Sequence, residues 1–459
     1  MAQRSSLPGT NPQTTIDVAK QQDLPTRASH ADDLDFDEDS DDYTSSVVSD
    51  TSTIEYNQEP YEAFQTKVAQ LVLDVFPGHT SCEVVLERIK GGAYNRIIGV
   101  TLHDPQPKTS WYHLDNIRNT LSACVSGKRC AVRKSKKYIL RIPRAETQDM
   151  FHQITTLAYL AKNFRCAVPH VVTFDSSTDN ALGRPYMLQK RLSGASLTEL
   201  WETLNQDQRK CAVRCIAEVV RDMHKITNRC AGIISARNTP HDLITGFIKL
   251  EPLPIGTLVS NSGGGRSIFH SPLATPQAPQ SFLLSLIQRQ RAQHTGLPPF
   301  EHVWTGFTDM INSLADAGLL PDTQPFHLHH ADFQLRNLLF VPISPTSVRL
   351  SGILDWDCAL FAPAFMATRA PFFLWSADDA DELDESDALI EPEDEGKLEL
   401  KRVFEEAVGE EFCTDAYRRE YVIARRMFYY LVKGVRSGGD VFLAEEVIKE
   451  WKELQSANE

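Results

Sequence analysis

The chain has 459 residues, more than one typical domain needs, and 42% of them are hydrophobic, close to the average of soluble globular proteins. It has no run of 18 apolar residues, and its start, Met1-Ala-Gln-Arg-Ser-Ser6, lacks an apolar signal core, so neither a membrane span nor a secretory leader is expected. The formal charge of -14 is unevenly spread: residues 1–60 hold 13 acids and 3 bases, residues 378–395 hold 11 acids and no base, and the remaining 37 acids and 44 bases make a mildly basic body, compatible with an anionic nucleotide but without the basic stripe of a nucleic-acid binder.

In chain order, residues 1–58 read as a disordered acidic tail, with the run Asp32-Asp-Leu-Asp-Phe-Asp-Glu-Asp-Ser-Asp-Asp42. Tyr61–Val75 has helical periodicity. Cys82–Ile89 and Arg96–Leu102 read as strands around the glycine turn Lys90-Gly-Gly-Ala-Tyr-Asn95, whose backbone N–H groups suit phosphate. Taken alone, such a turn more often simply reverses the chain. Residues 103–137 form a long connection with a basic end, either a solvated loop or a contact for an acidic partner. Lys137–Arg141 is a third strand that ends on a charge needing an anionic neighbour, such as a nucleotide phosphate. Thr147–Asn163 has a helical apolar face. Val168–Phe174 and Arg184–Gln189 complete a five-stranded sheet, and Gln189–Gly194 reads as a linker between lobes. Beyond Ser196 the pattern turns helical: Asp207–Ile226, Gln280–Gln293, His302–Ala317 and several helices from Leu398 to Glu453. Residues 250–280 read as a flexible loop, since Ser262-Gly-Gly-Gly-Arg266 lacks the Gly-Lys-Ser/Thr of a P-loop. Nine widely spaced cysteines, an odd number with no C-x-x-C pair, fit reduced thiols in a cytosol-like compartment.

The segment from Phe326 to Trp356 carries the chemistry. His330, Asp332 and Asn337 have the spacing H-x-D-x-x-x-x-N, and Asp355 closes an apolar run. Asn337–Val341 and Val348–Leu354 read as two short strands joined by the proline- and serine-containing loop Pro342–Ser347, so they pair antiparallel and bring Asn337 and Asp355 into one small volume. A carboxylate and an amide oxygen suit Mg²⁺. Asp332, on the loop entering the hairpin, is placed to orient a hydroxyl and accept its proton. The alternative is an ordinary hairpin with scattered polar residues.

The order of hairpin with glycine turn, cationic third strand, helix, linker, helical lobe, H-x-D-x-x-x-x-N and Ile353-Leu-Asp-Trp356 resembles the aminoglycoside phosphotransferase family, small-molecule kinases with a protein-kinase-like fold. The resemblance runs from about Tyr61 to Trp451. It implies an α+β, bilobal chain: a small antiparallel-sheet lobe over residues 59–190 and a larger, mostly helical lobe over 191–459, with an acidic insert near 376–396. It further implies ATP and Mg²⁺ and a small hydroxylated substrate, while the charge distribution and hydropathy lead one to expect no nucleic acid and no membrane as partners. By resemblance Asp332 is the catalytic base, Asn337 and Asp355 hold the metal, and Gly91, Gly92, Ala93, Tyr94, Asn95 and Arg141 contact the nucleotide. Arg141 stands where such kinases carry a lysine, and Gln153 stands where they carry a glutamate partner for it; Asp149, one turn away, is the other candidate. Without either acid, Arg141 would rely on nucleotide phosphate alone and the nucleotide-free lobe would be poorly ordered. His330 is either a hydrogen-bonding brace of the catalytic loop or a purely structural histidine. Asp357 is a further metal ligand or a loop-capping acid. The acidic insert is a solvated loop or a surface for a polycationic substrate. A non-catalytic scaffold of the same fold is the second reading of the whole chain. A protein kinase is the third and weakest, because no activation loop with an A-P-E end follows Asp355.

Overall fold

A computed structural model of the chain describes residues 59–89, 91, 94–104, 134–144, 150–256, 272–293, 300–376 and 385–458. The expectations for the acidic tail, most of the basic connection, the Ser262–Arg266 run, Gly92, Ala93 and Asp149 lie outside the described residues.

Helix α1 (Tyr61–Val75) is followed by strands β1 (Val84–Ile89), β2 (Asn95–His103) and β3 (Ser135–Pro143). Helix α2 (Met150–Asn163) leads to β4 (Val171–Asp175) and β5 (Tyr186–Lys190). The five strands form one antiparallel sheet in the order β1-β2-β3-β5-β4. The pleat sends alternate residues to opposite faces. Ile98, Val100, Leu102, Tyr138, Leu140, Ile142, Tyr186 and Leu188 pack on Phe64, Val68, Leu71 and Val72 of α1. Met187, on the other face, belongs to the larger core that includes Met150, Leu157 and Leu160 of α2. Arg141 lies opposite Met187 in the β3–β5 ladder and opposite Ile97 in the β2–β3 ladder, which puts it on that second face.

The helical part contains α3 (Gln206–His224), α4 (Pro279–Arg291) and α5 (Glu301–Asp316), then four short strands: β6 (Phe326–His329), β7 (Leu338–Ser344), β8 (Ser347–Ile353) and β9 (Leu360–Ala362). Helices α6 (Glu395–Val408), α7 (Arg419–Lys433) and α8 (Gly438–Asn458) follow. Helix α3 opens on a capping box, in which Asn205 accepts from the N–H of Gln208 and the Gln208 side chain returns the bond to Asn205. Its buried stripe, Ala212, Val213, Ile216, Ala217, Val219, Val220 and Met223, joins a core centred on Trp304, Phe307, Phe326, Trp356 and Phe361. The chain therefore has the bilobal α+β arrangement expected from its sequence, a small sheet beside a larger helical body.

Four expectations change. The loop set at Pro342–Ser347 is a tighter turn, because β7 and β8 continue pairing as far as Ser344 and Ser347, with Pro342 opposite Val348. Pro342 is tolerated there because the other edge of β7 is covered only at Leu339 and Phe340, by Ala195 and Ser196, so no donor is needed from it. The loop set at 250–280 is not flexible throughout: Leu250, Leu253 and Ile255 are buried, and Leu250–Glu251 pairs with Ile233–Ile234. The solvated acidic insert is partly folded, since Glu385 is buried against Arg425 and Arg369, and Asp394 caps α6 through the N–H of Lys397 at 2.8 Å. Arg141 has a carboxylate partner inside the protein. The seven described cysteines are all free thiols.

Candidate active site

The β7–β8 hairpin sets the site. Leu338 pairs with Ile353, so Asn337 and Leu354 face each other just beyond the ladder, and the N–H of Leu354 donates to the Asn337 carbonyl at 2.8 Å. The carbonyl of Leu354 accepts from Nε2 of His330 at 2.9 Å. That bond assigns the imidazole proton to Nε2, and burial pushes the His330 pKa down to about 4, so the ring is neutral. Trp356 packs on the ring, with centroids 4.4 Å apart. His330 therefore acts as a brace between the loop that follows β6 and the end of β8.

Asp332 sits on that loop. The Nδ2 of Asn337 donates to the Asp332 carbonyl at 2.9 Å and to its Oδ2 at 2.8 Å. Both amide hydrogens are thus used, which leaves the Asn337 oxygen as the acceptor that a cation could use. Oδ1 of Asp332 accepts from Arg336 at 2.6 Å. Sequence reasoning missed this contact, because the i, i+4 rule for opposite charges holds on an α-helix and this segment is a loop entering a three-residue turn. Two of the three described non-glycine residues with left-handed backbone lie here, Ala331 at φ 63° and Asp355 at φ 58°. A tight bend at each point turns the loop and the strand end toward one another.

Asp355 is solvent-accessible, yet protein crowds its carboxylate. Burial, with Asp357 adding like charge, pushes its pKa up to about 6, and Arg141 offsets only part of this. Asp357, one step along the three-residue turn Trp356–Cys358, takes both ends of the Arg141 guanidinium: Nη1 to Oδ1 at 3.2 Å and Nη2 to Oδ2. Burial works against the charge on Arg141, but Asp357 and then Asp355 outweigh it and hold its pKa above the ordinary value. Among the described residues this carboxylate is the ion-pair partner of Arg141; Gln153 is buried on α2 and makes no hydrogen bond to it.

The glycine turn is described only in part. The β1–β2 ladder closes at Ile89 and Ile97, and a Cβ on Gly91 would come within 2.5 Å of the Asn95 carbonyl. Tyr94 is exposed and Asn95 buried. Asn95 pairs with Pro143, two residues beyond Arg141 on β3. The structure thus gathers Asp332, Asn337, Asp355 and Arg141 around one junction.

Among the described residues no three or more His, Cys, Asp or Glu side chains are grouped so as to hold a metal ion. Two oxygen donors named from the sequence remain available to a cation, the Asn337 amide and the Asp355 carboxylate. This hard donor set fits Mg²⁺, which takes few protein ligands and fills its shell with water and phosphate.

A small antiparallel sheet beside a helical body, with an H-x-D-x-x-x-x-N loop braced to an Asp-ended hairpin at their junction, is an architecture that phosphotransferases share. Residues 121–366, more than half of the chain, match the model of the phosphotransferase enzyme family known as APH, and the chain belongs to this family. Two curated relatives, each a subtelomeric hrmA-associated cluster protein from a strain of Aspergillus fumigatus, are 23% identical over 276 residues, 48% of this chain and 52% of theirs. The chain spans about half the length of these relatives. Among solved structures, the GDP complex of wild-type aminoglycoside 2'-phosphotransferase-IIIa overlaps with a TM-score of 0.44 at 13% identity, over 85% of this chain and 99% of that one. Aminoglycoside phosphotransferase APH(4)-Ia overlaps with a TM-score of 0.43 at 16% identity, over 84% of this chain and 98% of that one. No helix among the described residues is long and apolar enough to cross a membrane.

Proposed function

We propose that this family member is an ATP- and Mg²⁺-dependent phosphotransferase acting on a hydroxyl of a small molecule. The observation that carries the reading is the joint at Leu354, where one backbone unit ties the carbonyl of Asn337 to the ring of His330, while Asn337 holds Asp332. Asp332 orients the acceptor hydroxyl and takes its proton. Asn337 and Asp355 would hold Mg²⁺, which when bound supplies charge neutralisation at the transferring phosphate. Arg141 faces the phosphates, and the turn from Gly91 through Gly92, Ala93 and Tyr94 to Asn95 covers them. The lobe boundary near residue 190, the acidic tail over 1–58 and a cytoplasmic setting belong to the same reading. Asp332→Asn is the test: turnover over a panel of hydroxylated metabolites disappears while ATP binding persists, and full activity in the variant would refute the assignment.

A second reading, a non-catalytic nucleotide-binding or scaffold protein, is favoured by one observation. Arg336 already occupies Oδ1 of the carboxylate that should act as base. Turnover in the wild-type chain separates the two, and absence of binding in calorimetry at millimolar ATP and Mg²⁺ marks the scaffold without nucleotide function.

A further inference from the structure

The bidentate pair between Arg141 and Asp357 joins the nucleotide sheet to the metal-side turn across 216 positions of sequence. Both side chains are largely buried, at 12% and 16% exposure, so neither charge is well solvated and each depends on the other. A planar guanidinium gripped at both Nη atoms is fixed in plane as well as in position, which a point charge would not be. Its Nε is buried without a partner, so the fork is aimed at Asp357 at the cost of one unsatisfied donor. Among the described residues of helix α2, Met150–Asn163, there is no acid, and its inward Gln153 is neutral and makes no bond to Arg141. The turn that carries Asp357 also begins immediately after Asp355 and packs against α2.

We propose that Asp357 is the positioning residue for Arg141. Its carboxylate, coming from the metal-side turn rather than from α2, holds the strand cation in the place where it meets nucleotide phosphate. One three-residue turn then sets two features of the site at once: the carboxylate of Asp355 and the direction of Arg141. Nucleotide affinity depends on the turn through charge placement, with no acid on the helix needed. This rests on the phosphotransferase reading above, since it assigns Arg141 to the phosphates.

The test measures MgATP and adenosine binding by calorimetry and competition in the full chain, with the melting temperature as a check on folding. Asp357→Asn is expected to weaken MgATP binding by about tenfold or more, as loss of a charge-assisted pair predicts. Adenosine, which has no phosphate, keeps its affinity. Asp357→Glu retains the charge on a longer arm and falls between wild type and Asn. Should the Asn variant fail to fold, the Glu variant decides alone: MgATP affinity equal to wild type overturns the proposal. Equal or tighter MgATP binding in Asp357→Asn overturns it too, and so does a parallel loss of adenosine binding, which marks general damage. A wild-type chain that binds neither probe brings down the phosphotransferase reading and this proposal together, whereas normal wild-type binding with an indifferent Asp357 removes this proposal alone.

Discussion

Asn337 spends both hydrogens of its side-chain amide on Asp332, one on the backbone carbonyl at 2.9 Å and one on the carboxylate at 2.8 Å. The residue assigned to the metal therefore also sets the orientation of the residue assigned as base. Replacing Asn337 by Ala removes both bonds and should cost about 1–2 kcal/mol of folding stability, read from denaturant melts. It also removes the amide oxygen, so ATP affinity measured with Mg²⁺ should fall while affinity measured without Mg²⁺ holds. An equal fall in both would mean that Asn337 does not serve the cation.

His330 makes stability depend on pH. Its ring is 1% exposed, and burial lowers its pKa from 6.5 to about 4. Between those values the unfolded chain binds a proton that the folded chain refuses, so stability is complete above about pH 6.5 and is lost as pH falls toward about 4. This group alone accounts for about 3 kcal/mol. His224, lowered to about 4 by burial and by His327, adds to the same window, whereas Asp355, raised to about 6, acts in the opposite sense. Urea melts at about pH 7.5 and about pH 5 should show a steep loss in wild type and a shallower one in His330→Gln, which can still donate to the Leu354 carbonyl. An unchanged slope would show that another group dominates.

Glu385 is shared by two guanidiniums. Its Oε2 meets Arg425 and its Oε1 meets Arg369, while Arg425 also donates to the carbonyls of Phe365 at 2.8 Å and Ala416 at 2.7 Å. Glu385→Gln strands the buried charge of Arg425 and should cost about 3–5 kcal/mol. Adding Arg425→Met removes the stranded charge, and thermal melts should recover part of the loss. A double variant less stable than the single one would argue that the backbone bonds of Arg425, rather than the ion pair, hold α7.

Gly194 marks the seam between the sheet and the hairpin. It has φ 94°, and a Cβ there would run into the Phe340 carbonyl. Gly194→Ala should destabilise the chain by about 1–3 kcal/mol, seen as a lower denaturant midpoint with unchanged slope. A neutral result would show that β7 yields locally.

What could be read in the sequence was what depends on near neighbours. Helix α1 runs from Tyr61 to Val75 as its periodicity indicates, and β1, β2 and β5 fall within two residues of their apolar runs because alternation and flanking glycines are local signals. The meeting of Asn337 with the end of β8 followed from hairpin geometry. The partner of Arg141 was not legible, since 216 positions separate it from Asp357 and Asp149 was the acid the sequence offered. Glu385 sits in a run of acids that composition marks as solvated; only the fold, by presenting Arg425 and Arg369 to it, singles out that member. The strands β6 and β9 are four and three residues long, and their sequence carries too few alternations to distinguish them from buried coil.

Leu354 enters the site by its peptide groups alone, the N–H toward Asn337 and the carbonyl toward His330. Almost any side chain at this position preserves both bonds; proline, which has no N–H, is the exception. The alignment of loop and strand is therefore written in main-chain chemistry. A scan that exchanges one side chain after another would pass over position 354 as silent, although cutting its amide, for instance by an ester at the 353–354 linkage, would detach Asn337 from the strand end that carries Asp355.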